Sequence, residues 1–97
     1  MISRADFMCT IGYEGNAAVV DANHKRACGA LSTIELAEKG LFKQAVCSAI
    51  YEGGEPLAKV LEIYNSRTAH PLAGVEELKR IFGVSEVPEG IARVIVI

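Results

Sequence analysis

Tryptophan is missing from this chain, and only three Tyr and three Phe are present, so any core must rest on aliphatic side chains and alanine. Long apolar runs are missing too. The longest, Ala92 to Ile97, is interrupted by Arg93 and falls far short of the roughly 20 residues that span a bilayer, which excludes a membrane partner. There is no excess of basic charge. Ten Lys and Arg against twelve Asp and Glu leave a net charge of −2, which offers no electrostatic footprint for nucleic acid. Residues Met1 to Asp6 lack the basic-then-apolar order of a secretion signal. The expected setting is therefore cytoplasmic, where the three cysteines stay as thiols.

What is present is the composition of a folded domain. Of the 97 residues, 51% are hydrophobic and 23% charged, and that length suits one domain with a core of its own. The expected class is α+β: an N-terminal β-hairpin, three to four helices, and a C-terminal strand completing a small three-stranded sheet.

The hairpin is read from Asp6 to Ala22. Phe7, Cys9, Ile11 and Tyr13 alternate with Met8, Thr10 and Gly12, a period of two that predicts a strand. Ala17 to Ala22 supplies the second. With Glu14 and Gly15 as the loop, Ile11 faces Ala18 and Cys9 faces Val20, which gathers the apolar residues on one side. A three-residue loop with Gly15 left-handed is the alternative register. Gly12 and Gly15 could instead suggest a phosphate loop. However, no capped helix follows them, no third glycine completes a dinucleotide fingerprint, and no Lys-Ser/Thr completes a P-loop. No cofactor is implied.

Asn23 to Ala30 reads as a strand end and a polar connection. Ser32 with Glu35 matches a capping box, so a helix should start at Thr33. Its apolar positions keep phase through Gly40, which leaves one long helix or two short ones. Glu35, Glu38, Lys39 and Lys43 form its solvated face. Pro56 suits the first position of the next helix, expected to fray near Asn65. Val75, Leu78, Ile81 and Phe82 mark a last helix, with Gly83 as its C-terminal cap. His70, before Pro71, belongs to a turn.

Two features carry candidate chemistry. Cys28 is the cysteine expected to be exposed. With Asp21 and His24 it could serve a small-molecule or metal-dependent site, with Cys9 as a further ligand or with His24 activating the thiol. Against metal, the cysteines are not paired at zinc spacing. Lys25 and Arg26 are the only hint of an RNA contact, and no aromatic platform accompanies them.

The second feature is the C-terminal run Val94, Ile95, Val96 and Ile97, which has no alternation. Both faces of such a strand want cover. Either helices of the same chain provide it, or a second chain does. The function this points to is a non-catalytic interaction or regulatory module, a homodimer or a dock for another protein through those four residues.

Overall fold

A computed structural model describes residues 2–97. The elements run α1 (Arg4–Met8), β1 (Thr10–Glu14), β2 (Ala17–Val20), α2 (Ala22–Cys28), α3 (Thr33–Glu38), α4 (Phe42–Tyr51), α5 (Leu57–Arg67), α6 (Val75–Phe82) and β3 (Arg93–Val96). The class is α+β, as expected, with a mixed sheet in the order β1-β2-β3. β2 pairs antiparallel with β1 and parallel with β3. No helix among the described residues is long and apolar enough to cross a membrane.

The N-terminal third differs from the sequence reading. Residues 4–8 are helical, not strand, because the Ser3 hydroxyl accepts the Asp6 N–H and closes the first turn. Ser3 and Asp6 repeat the spacing of Ser32 and Glu35, so the signal was in the sequence but the alternation of Phe7 and Cys9 masked it. Residues 22–28 are likewise helix rather than connection. Asp21 caps α2 by accepting the His24 N–H at 3.0 Å. Lys25 and Arg26 fall in its last turn, where cations suit the helix dipole. These two short helices bring the total among the described residues to six.

The hairpin exists, but its loop is Gly15 and Asn16. Glu14 pairs with Ala17 and Tyr13 with Ala18, and Gly15 adopts φ +58, as the first position of a primed turn requires. Tyr13 therefore sits two residues further along its partner than the expected register placed it. A slip of two preserves which face each side chain uses. A bulge breaks the pairing between Thr10 and Gly12, and the extra residue there, Ile11, is 58% exposed instead of joining the core.

The capping box at Ser32 and Glu35 is present in both directions, at 3.0 and 3.1 Å. The Ser32 N–H donated to the Glu35 carboxylate lowers its pKa. Gly40 takes φ +80 and ends the helix, so α3 and α4 are separate. Pro56 sits at the N-cap of α5, which runs on to Arg67. Gly83 caps α6 in the left-handed conformation, as its position foretold.

The core centres on α4. Ala45, Val46, Cys47, Ser48 and Ala49 are all buried, so the helix is covered on every side rather than along one stripe. It meets α1, α3, α5 and α6. Phe42, Tyr64 and Phe82 join α4, α5 and α6 through edge-to-face contacts, with Phe42 and Tyr64 5.1 Å apart.

Ser48 is the polar residue at that centre. Its hydroxyl lies 2.8 Å from Arg4 Nε and 2.7 Å from the Thr33 hydroxyl. Thr33 gives its proton to Glu52, so Ser48 donates to Thr33 and accepts from Arg4. Arg4 also donates to the Gly29 and Leu31 carbonyls.

Two stability measurements check this account. Replacing Gly40 by Ala should cost about 1 kcal/mol in denaturant unfolding, since an L-residue is strained at φ +80; a gain of similar size would indicate one continuous helix. Ser48→Ala should cost ~1–3 kcal/mol by stranding buried donors and acceptors, whereas a neutral result would show the chain of hydroxyls to be dispensable.

Candidate functional site

The structure breaks up the constellation of Asp21, His24 and Cys28. The Asp21 carboxylate is spent on capping α2. Cys28 is not the exposed cysteine: it is 2% accessible and donates its thiol proton to the His24 carbonyl at 3.0 Å. The helix explains this. Residues 24 and 28 are one turn apart, and the α2 face carrying Cys28 packs on α1. Among the described residues, no group of three His, Cys, Asp or Glu side chains is placed to hold a metal ion.

Lys25 does not stand free as a basic contact. Its ammonium lies 2.6 Å from Asp6 Oδ1. That oxygen accepts no N–H or O–H in hydrogen-bond geometry, so the cation is its compensation. Arg26 donates to the Asn23 side chain at 3.2 Å. The basic cluster is thus largely engaged within α1 and α2.

A cleft of about 200 Å³ opens elsewhere, between Thr10 and Tyr13 of β1, Lys43 and Cys47 of α4, and the segment from Gly83 to Glu86. Nothing in the sequence joins these residues, which come from three separate parts of the chain. Tyr13 is half exposed, and the partial burial of its phenol, with the Cys47 thiol beside it, pushes it above its ordinary range, against the pull of the neighbouring Thr10 hydroxyl. Burial also pushes the Cys47 thiol up to about 11, although Lys43 pulls the other way. Both groups are therefore protonated at neutral pH. In that state both can donate hydrogen bonds.

The C-terminal strand remains as the candidate interface. Val94 packs against the core and pairs in register with Ala18. Ile95, paired with Val19, points to the opposite face and is half-buried. Val96 and Ile97 are 53% and 66% exposed. β3 lies at the end of the strand order, so no strand of this chain pairs with its outer edge among the described residues. β1 is also an edge, but its bulge, Gly12 and Glu14 blunt it. β3 has no bulge, and Arg93 is its single charge.

Comparison with protein-family models, with curated proteins and with solved structures finds no match. The functional reading therefore rests on the geometry.

The state of Cys47 can be measured directly. Its alkylation rate by iodoacetamide in the native protein, followed by peptide mapping, should rise about tenfold per pH unit and level off only near pH 11. A plateau near its ordinary value of 9.0 would show an unburied thiol. The unfolded thiol ionises first, so stability should also fall as pH rises from 9.0 toward about 11.

Proposed function

We propose that this protein is a non-catalytic interaction module that self-associates, two copies pairing through the outer edges of β3. The observation that supports this reading is an edge strand free of bulges that ends in two exposed apolar residues, Val96 and Ile97. A strand edge is an unpaired row of N–H and C=O groups, and these attract another strand. An antiparallel copy of the same strand satisfies them through a two-fold axis, which makes one continuous sheet from two. It also covers the apolar side chains that this chain's own helices leave in water.

The alternative edge at β1 is a poorer template because its bulge interrupts the hydrogen-bonding row. A cytoplasmic setting belongs to the same reading, since the three cysteines are free thiols. The protonated state of Tyr13 and Cys47 is consistent with binding rather than catalysis.

Sedimentation equilibrium decides the matter. The wild-type chain should show about twice its monomer mass of 10.4 kDa. Val96→Asp places a charge on an exposed edge position and should weaken association at least tenfold, with the denaturation midpoint of the isolated monomer nearly unchanged. A wild-type protein that stays monomeric from micromolar to millimolar concentration would end the proposal.

A further inference from the structure

The three cysteines lie at equal intervals along the chain, Cys9, Cys28 and Cys47, but the fold treats them unequally. Cys9 is the C-cap of α1 and Cys28 is the last residue of α2. Their sulfurs are 3.9 Å apart, and both residues are almost fully buried. Cys47 lies on α4 and lines the cleft. The backbone holds the first pair in place. Asp21 N–H donates to the Cys9 carbonyl at 3.2 Å, tying the start of α2 to the end of α1. The Asp6–Lys25 ion pair joins the same two helices.

We propose that Cys9 and Cys28 form a site of reversible covalent modification, an intramolecular disulfide between the end of α1 and the end of α2. A disulfide has a sulfur separation of ~2.05 Å, so the sulfurs must close by roughly half of their present distance. Side-chain rotation and a small shift of α1, which is only five residues long, supply that. The oxidant is a peroxide, small enough to reach the thiols when these short helices open locally.

The chemistry balances. One sulfur, as thiolate, attacks an oxygen of hydrogen peroxide; the O–O bond breaks, hydroxide leaves, and the sulfur becomes a sulfenic acid. The second sulfur then attacks the first, its proton and the sulfenic hydroxyl leave as water, and the S–S bond forms. In total, two thiols lose two electrons and two protons, and one peroxide is reduced to two waters. Burial and the neighbouring Cys28 and Asp6 raise the Cys9 thiol to about 12. Thiolate is therefore scarce in the closed structure, and the site responds to sustained oxidant rather than to traces.

The equal spacing supplies an internal control. Cys9 to Cys28 and Cys28 to Cys47 are both separated by 19 residues, so the loop-closure entropy of the two bridges is the same in an unfolded chain. The full chain is treated with hydrogen peroxide at neutral pH, once native and once in urea. Free thiols are then alkylated and the chain is cut with trypsin. Cleavage after Lys and Arg leaves the three cysteines in separate peptides, 5–25, 27–39 and 44–59. In urea the two bridges should appear within about twofold of each other. In the native protein the 5–25/27–39 pair should dominate by at least about tenfold, Cys47 should be recovered as an alkylated thiol, and dithiothreitol should restore all three thiols. The proposal is overturned if the native protein shows no preference for that pair, if Cys9 and Cys28 are both recovered as alkylated thiols, or if they are oxidised beyond reductant rescue.

Discussion

A hydroxyl with no access to water sets the main constraint on this fold. Ser48 lies in the middle of α4, the helix that every later helix and α1 pack around. Burying a hydroxyl without partners is unfavourable, so α1 must bring Arg4 and α3 must bring Thr33 to it. The chain of donors that results starts at a guanidinium and ends at the Glu52 carboxylate. Each proton in it has a partner, and the bonds tie α1, α3 and α4 together at this point. Arg4 extends the constraint to the linker after α2 through the Gly29 and Leu31 carbonyls. Small neighbours, Ala45, Cys47 and Ala49, let the other elements approach closely enough for these bonds to form.

The sheet is the less finished part of the molecule. Three strands leave two edges, and the chain protects them differently. β1 is bent by its bulge, which sends Ile11 outward and brings Thr10 opposite Val20. β3 is regular and apolar to its end. Between them β2 is buried along its length at Ala17, Ala18 and Val20. The two edges thus differ in regularity, and β3 is the one without a bulge while also packing into the core through Val94.

The chemical groups share one condition. The Cys9 and Cys47 thiols and the Tyr13 phenol are all held protonated, in each case with burial as the largest cause. Asp6 keeps its charge partner, Lys25, at 2.6 Å.

The legible elements were those specified within a turn or two of chain. The Ser32–Glu35 box, the Gly83 cap, the existence of a hairpin and the C-terminal strand all rest on residues no more than four apart or on a local run. α1 and α2 rested on equally local caps, Ser3 and Asp21, but in segments of five and seven residues a competing alternation or polar run outweighs one cap. The sequence by itself thus determined the α+β class, the aliphatic core and several helix ends, among them the starts of α3, α5 and α6. Only the tertiary structure decided that Ile11 turns outward, that Cys28 is buried beside Cys9, and that Ser48 joins Arg4 to Thr33. Those outcomes depend on contacts between residues 15 to 44 positions apart and on a strand register, which no local pattern encodes.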